Sequence, residues 1–368
     1  MIFKKMIVDE AVFAKNTATA RFKILRKICN EVEHLVLLSG TPLMNGAAEL
    51  YAPLLLIGHP LAGDGTVKAR MAFESIFAGG HRRKIRNTGV WFKDYVWWAK
   101  GANNTRELRY LLRDHFFFKR KEDTSVFKHR PNRQIIDVPM TIPWLAEYNQ
   151  AWEDYLVKAK KRNVDMENVM ELQALIENGQ TYQVNSKWKA RQVVDDIKNG
   201  VYGDQRIVVF SMFIETYTLI AALLAAQGIS YRVFEDVREW KTGTEQVILG
   251  RIKAHGKGTN LSEASVALFV DMDFVPANNI QAENRIDRPE QTKPMTIRYY
   301  LTEGNDVVDA HVRNINKDKQ RKIDEFMRPL TPEEIAGMPA QVEALIEKYR
   351  KHFAVLGYPQ PTLAPVHE

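Results

Sequence analysis

The sequence predicts an α/β protein built on two parallel sheets, with a helical stretch between them. Three observations carry this. Apolar runs of strand length alternate with helix-length segments over residues 2–38. The same alternation begins again at residue 206 and continues to 301. Between them, residues 141–200 repeat their aromatics at helical spacing. Strands that alternate with helices pair in parallel, because each return to the sheet needs a crossover helix.

In chain order, residues 2–8 read as a short buried strand closed by Asp9-Glu10. A helix follows over 17–32, and His34–Leu38 is a second strand closed by Ser39-Gly40-Thr41-Pro42. Residues 58–90, rich in Gly, His and Arg, read as loops with short helices. Trp91, Phe92, Tyr95, Trp97 and Trp98 read as core and hinge packing rather than a base-stacking platform. Leu108–Leu112 is helical and precedes Phe116-Phe117-Phe118-Lys119-Arg120-Lys121-Glu122. Trp144, Tyr148, Trp152 and Tyr155 form the core face of a helix, and Lys158, Lys160, Lys161 and Arg162 its solvated basic continuation. Gly200–Gly203 is a break. Then come a strand at Arg206–Ser211, an amphipathic helix at Glu215–Gln227 stopped by Gly228, and strands at Ser265–Asp271 and Thr296–Leu301. Thr331-Pro332-Glu333-Glu334 is a helix start: hydroxyl cap, proline in the first turn, carboxylate three residues on. Pro359, Pro361 and Pro365 mark a disordered tail. No internal repeat is visible.

The 368 residues are 45% hydrophobic and 26% charged, which suits two ordinary domains with sizeable cores. The formal net charge of +7 favours a polyanionic partner without proving one. Cys29 is the sole cysteine, so no internal disulfide forms; it reads as a small buried apolar residue in a reducing compartment. Met1-Ile2-Phe3-Lys4-Lys5 lacks the apolar core of a signal peptide, and no run reaches the ~18–20 apolar residues that span a bilayer. The expectation is an intracellular protein, in cytoplasm or nucleoid or as a viral protein in its host, with no membrane partner.

Met6-Ile7-Val8-Asp9-Glu10 has the form of a Walker B strand end, an apolar strand delivering two carboxylates to the carboxyl edge of a parallel sheet. Asp9 would hold Mg²⁺ through water, and Glu10 would orient an attacking water. At the other end of the chain, Gln281-Ala282-Glu283-Asn284-Arg285-Ile286-Asp287-Arg288-Pro289-Glu290-Gln291 places two arginines three apart. On a helix they would share a face, and two guanidinium forks could reach one phosphate. Alone, either string reads equally well as a solvated strand end or a basic helix face.

Order along the chain adds weight. Asp9-Glu10-Ala11 with Lys15-Asn16 is followed by Leu38-Ser39-Gly40-Thr41-Pro42-Leu43 with Asn45 and Glu49-Leu50. Arg120-Lys121-Glu122-Asp123, Val208-Val209-Phe210-Ser211, Gly256-Lys257-Gly258-Thr259-Asn260-Leu261 and Gln281–Gln291 come next. This succession resembles the Swi/Snf-like DNA translocases of helicase superfamily two, over most of residues 3–313. The resemblance implies two RecA-like lobes with parallel sheets, the first truncated at its N-terminus, and a helical insertion between them. Residues 1–135 would be the carboxyl-terminal part of the first, ATP-binding lobe, 136–200 the helical linker, 201–330 the second lobe, and 331–368 a C-terminal helix and tail. It further implies ATP and Mg²⁺ as cofactors and double-stranded DNA as partner. Asp9, Glu10, Arg285 and Arg288 would be catalytic, with Asp9 the metal residue. Gln281, Arg285 and Arg288 would bind ATP, Arg288 being the finger. Ser39, Gly40, Thr41, Gly258, Thr259 and Asn260 would couple nucleotide state to lobe closure and DNA.

The sequence departs from that family in several places. The chain starts at the Walker B strand and contains no G-x-x-x-x-G-K-[ST] phosphate-binding loop. Gly250–Gly258 imitates one, with a spacing one residue too long and in the place of a different motif. Val12 stands where histidine is usual, Pro289-Glu290 precedes the last glutamine where glycine is usual, and Tyr231–Leu249 is short enough to have lost a helix. Three expectations result. The first is an ATP-driven helicase or translocase whose front half, with the phosphate loop, comes from a separate polypeptide, a split gene or another part of the protein. The second is a non-catalytic DNA-binding or interaction remnant, and the third a gene fragment without function. A first sheet begun at its Walker B strand should carry an exposed edge.

Overall fold

The computed structural model describes residues 4–40, 43–84, 95–119, 121, 124–127, 129–161, 180–253, 259–304 and 307–358. The chain forms two compact units: residues 1–86, 90–118 and 319–368, and residues 87–89 and 119–318. Trp91, Phe92, Arg120, Glu122, Asp123, Arg162 and the prolines Pro359, Pro361 and Pro365 lie outside the described residues.

In the first unit, β1 (Lys5–Val8) and β2 (His34–Leu37) pair in parallel from Lys5↔His34 to Val8↔Leu37. Their crossover is α1 (Ala20–Cys29), shorter than the sequence suggested because the Thr19 hydroxyl accepts the Phe22 N–H at 3.3 Å and so caps it. The strands alternate: Met6, Leu35 and Leu37 pack on the core while Ile7 and Val36, register partners, are 68% and 49% exposed. Among the described residues β1 and β2 pair only with each other. The core gathers α1 through Phe22 and Cys29, α2 (Tyr51–Leu56), and α3 (Val67–Phe77) through Phe73 and Phe77. It also takes in Leu108 of α4 (Thr105–Leu111). An antiparallel pair, β3 (His81–Lys84) and β4 (Tyr95–Trp98), stands beside it. Cys29 is buried, which pushes its thiol above the usual range.

The second unit holds a six-stranded, wholly parallel sheet, so the α/β class read from the sequence is the class of the fold. Its strands are β5 (Asn132–Val138), β6 (Ile207–Ser211), β7 (Tyr231–Val233), β8 (Val247–Arg251), β9 (Val266–Phe269) and β10 (Thr296–Thr302), in the order β5-β10-β9-β6-β8-β7. Strand β6 shows why such runs read as buried. Ile207 and Val209 enter one core, Val208 and Phe210 the other, and no residue of the strand meets water. Helix α5 (Ile142–Lys161) contributes Trp144, and α6 (Gln180–Lys198) contributes Ala190, Val193, Val194 and Ile197 to the first of these cores. The aromatic stripe is thus core at Trp144, whose ring stacks on Trp188 at 6.1 Å, whereas Trp152 is 37% exposed. Helix α7 (Ile214–Ala226) stops at Gly228, whose φ of +68° a Cβ-bearing residue rarely adopts. A short helix, α8 (Val237–Thr242), survives in the stretch expected to have lost one, anchored by buried Trp240. Next come α9 (Pro276–Glu283) and α10 (Val308–Met327), inside which the division between the units falls.

The compact units are drawn differently from the domain limits read in the sequence. Residue 135 lies inside β5, which pairs with β10, so the second unit starts near residue 119. Residues 142–161 and 180–198 pack against the sheet of the second unit. The C-terminal helices α11 (Pro332–Lys348) and α12 (Arg350–Leu356) belong to the first unit's core through Val342, Leu345, Ile346, Phe353 and Leu356. The capping box is present: Thr331 Oγ1 accepts the Glu334 N–H at 3.3 Å, and Glu334 accepts the Thr331 N–H at 2.8 Å. Among the described residues no helix is long and apolar enough to cross a membrane.

Candidate functional site

The parallel pairing of β1 and β2 sets their carboxyl ends side by side. Leu38 N–H donates to the Val8 carbonyl at 2.8 Å, and Ala11 N–H to the Leu38 carbonyl at 2.9 Å, so Asp9-Glu10 and Ser39-Gly40 emerge together. Asp9 is exposed and its Oδ1 accepts the Glu10 N–H at 2.8 Å. Glu10 adopts the left-handed region, φ 51° and ψ 42°, uncommon for a residue with a side chain. Its Oε2 is shielded from water and has no hydrogen-bond partner. Such backbone strain and an orphaned oxygen are features that sites tolerate and cores avoid. Ser39 is half-buried and Gly40 exposed; Thr41 lies outside the described residues.

A carboxylate that the sequence left without a role ties these segments together. Glu49 Oε1 accepts Lys15 Nζ at 2.6 Å and Asn45 Nδ2 at 2.8 Å. Its Oε2 accepts the backbone N–H groups of Met44, at 2.6 Å, and Asn45, at 3.0 Å. Burial would raise its carboxyl, but the Lys15 charge and these donors outweigh burial and hold it below the usual range. Lys15 therefore staples the turn after Asp9-Glu10 to the segment after Ser39-Gly40. Val12, in the usual histidine position, is buried as a packing residue.

In the second unit the arginine string is not one helix face. Helix α9 ends at Glu283, and Arg285 and Arg288 sit in successive turns. The reason is local: Ile286 is fully buried in the core, and Pro289 disfavours a helical Arg288. The two arginines consequently have different surroundings. Arg285 is 2% exposed and its Nη1 donates to the Thr259 carbonyl at 2.9 Å, while Leu261 N–H returns a bond to the Arg285 carbonyl at 2.9 Å. Arg288 is half-buried with an Nε that has no hydrogen-bond partner. Gln291 Nε2 closes the turn on the carbonyls of Ala264, at 2.8 Å, and Ile286, at 3.2 Å. Asn260 Oδ1 accepts the Ser262 N–H at 2.9 Å. The structure thus brings Thr259 and Asn260 against the arginine turn; Gly258 lies outside the described residues. Gln281, on α9, is half-buried, and Glu290 is exposed.

A buried ionic cluster lies at the carboxyl edge of the second sheet. Lys189 on α6 is fully buried, in contact with Asp309 Oδ1 and 3.9 Å from Asp271 Oδ1. Asp309 Oδ2 accepts Asn185 Nδ2 and Thr302 Oγ1, both at 2.8 Å. Asp271 Oδ2 accepts Ser211 Oγ at 2.9 Å and Met212 N–H at 3.0 Å. Burial pushes the Asp271 carboxyl up, and the Lys189 ammonium pulls it back. The sequence signal was a lysine on the buried stripe formed by Tyr182, Ser186, Ala190 and Val193.

Among the described residues no three or more His, Cys, Asp or Glu side chains form a metal-binding group. The exposed Asp9 could help to hold Mg²⁺, and such sites usually draw their remaining ligands from water and phosphate.

An acidic pair follows β1 in the first unit and a hydrogen-bonded arginine turn follows α9 in the second, and comparison with known proteins gives the family. A model of the SNF2-related domain matches residues 2–196, and the chain belongs to that family. It is 24% identical over 334 residues to the Drosophila melanogaster SWI/SNF-related matrix-associated actin-dependent regulator of chromatin subfamily A-like protein 1, covering 86% of this chain and 40% of the relative. It is 26% identical over 317 residues to the Homo sapiens DNA annealing helicase and endonuclease ZRANB3, covering 82% of this chain and 28% of that protein. The chain therefore spans less than half the length of these relatives. The Sulfolobus solfataricus SWI2/SNF2 ATPase core in complex with dsDNA aligns over 94% of this chain and 72% of its own, at 16% identity and a TM-score of 0.42.

Proposed function

We propose that this chain is part of an ATP-dependent DNA helicase or translocase of the Swi/Snf-like type, an intracellular motor that couples ATP hydrolysis to movement on duplex DNA. Asp9 would hold Mg²⁺, which would neutralise phosphate charge, Glu10 would orient the attacking water, and Arg288 would stabilise charge on the transferring γ-phosphate. Arg285 and Gln281 support the nucleotide-binding turn, and Ser39, Gly40, Thr41, Gly258, Thr259 and Asn260 couple it to DNA. What supports the reading above all is Arg288: a guanidinium on a hydrogen-bonded turn, half-buried, with its Nε unpartnered. A partly exposed guanidinium with an uncommitted N–H is suited to take up an anion. The human relative's printed name, a DNA annealing helicase, points the same way.

ATP turnover needs a phosphate-binding loop, and the 368 residues carry no G-x-x-x-x-G-K-[ST] string. The absent string also favours a second reading, a DNA-binding module that has lost turnover. Arg288→Ala separates the two. With the loop-bearing segment supplied, the substitution lowers ATP turnover by about a thousandfold or more, as loss of an arginine finger does elsewhere. DNA affinity stays nearly unchanged. Unaltered turnover removes Arg288 from this role, and no turnover by the unsubstituted chain supports the second reading.

A further inference from the structure

The string Arg120-Lys121-Glu122-Asp123 has no role in the account so far, yet Lys121 is bound to the arginine turn. Its Nζ donates to Asn284 Oδ1 at 2.6 Å, to the Asp287 carbonyl at 3.1 Å and to Asp287 Oδ2 at 3.0 Å. An ammonium has three protons, and all three are used. The Phe127 ring lies 4.7 Å from the same nitrogen, and the Thr124 hydroxyl donates to the Lys121 carbonyl at 2.8 Å, so the lysine is itself fixed. Arg133 grips the end of the preceding helix, Nε and Nη2 meeting Glu283 Oε2 at 2.9 and 2.8 Å. Tyr299 donates to the other Glu283 oxygen at 2.8 Å. Residues 283, 284 and 287, which flank the two arginines, are thus each held by a side chain from outside the turn.

The charge at Asp287 decides what this does. Its carboxylate is 6% exposed and adjacent in sequence to Arg288. A buried carboxylate without a cation partner is costly. Arg133 also acts on this carboxylate, but without a hydrogen bond to it, so loss of Lys121 leaves a buried charge poorly compensated inside the turn. Lys121 therefore orders the turn and compensates the charge buried within it.

We propose that Lys121 is a positioning residue for Arg288, holding its turn and neutralising the carboxylate of Asp287 buried beside it. The proposal rests on the reading of Arg288 as a phosphate-contacting group. Lysine suits this place better than arginine, because three acceptors around one point match an ammonium and not a planar fork.

The test has two arms on the full chain. The first is amide hydrogen exchange without nucleotide, comparing the unsubstituted chain with Lys121→Met. The N–H groups of Arg285, Ile286, Asp287, Arg288 and Gln291 are hydrogen-bonded within the turn and report its opening. Loss of a charged clamp should speed their exchange by about tenfold or more while the β6 and β9 amides stay within about twofold. Unchanged exchange in the turn, or equal acceleration throughout the unit, overturns the clamp. The second arm is ATP turnover with the loop-bearing segment supplied. Lys121→Met should lower kcat by about tenfold or more with KM for ATP little changed, and adding Asp287→Asn should restore much of it. A loss that Asp287→Asn does not relieve overturns the charge-compensation argument. Absent turnover in the unsubstituted chain counts against the ATP reading alone, since the exchange arm needs no nucleotide.

Discussion

Glu49 shows how much a single side chain can organise. Two backbone N–H groups, one amide and the Lys15 ammonium converge on its carboxylate, fixing the loop that follows Ser39-Gly40. Its carboxyl is held below the ordinary value, so its contribution to stability is complete above about pH 5 and fades as the pH falls through the folded value. Glu49→Gln should therefore cost about 1–3 kcal/mol near neutrality, a difference that shrinks toward zero in acid. Urea unfolding at several pH values checks this; a pH-independent loss would assign the effect to shape rather than charge. The two arginines make a related point. Residue type and spacing picked out both, but their division of labour was not legible, because it depends on Ile286 entering the core and Pro289 breaking the helix. Arg285→Ala should act mainly on folding, by about 1–3 kcal/mol, since it frees the buried Thr259 contact. Loss of turnover at unchanged stability would move Arg285 into the chemistry.

Elements were legible where one physical pattern dominated. Strands β6 and β10 are runs of β-branched and aromatic residues, and the start of α11 is written in its capping box. Strand β5 was not found, because Asn132-Arg133-Gln134 are polar and it lies at the sheet edge, buried only at Val138. That miss displaced the predicted domain limit to residue 135. The ion cluster beneath α6 could not be foreseen either, since it joins residues 120 apart in sequence, Lys189 and Asp309. Its weight is predictable from the structure. Lys189→Met leaves two buried carboxylates without their cation and should destabilise the chain by about 3–5 kcal/mol. Chemical denaturation measures it, and a change under about 1 kcal/mol would mean that one carboxylate is already neutral. Adding Asp309→Asn should recover part of the loss, as neighbouring sites are not additive.

At the scale of the whole molecule, two properties stand out: excess positive charge and an open apolar face. The net charge of +7 and the lack of any base-reading motif predict DNA binding through phosphates, so affinity should fall steeply and linearly in log–log form with salt, whatever the DNA sequence. Titrations across salt concentrations check this, and salt-independent binding would contradict it. Exposed Ile7, Val36, Ile24 and Ile28 predict a chain that binds apolar dyes or self-associates unless partnered; a cooperative, highly stable monomer would count against that. The function proposed for the chain is that of part of an ATP-driven motor on duplex DNA. Its most direct test is ATP hydrolysis by the chain, with and without duplex DNA and with and without a polypeptide carrying that loop, beside an Asp9→Asn, Glu10→Gln control. The account predicts DNA-stimulated turnover only when the loop is supplied, and its loss in the control. Turnover by the chain alone, or none with the loop present, would contradict it.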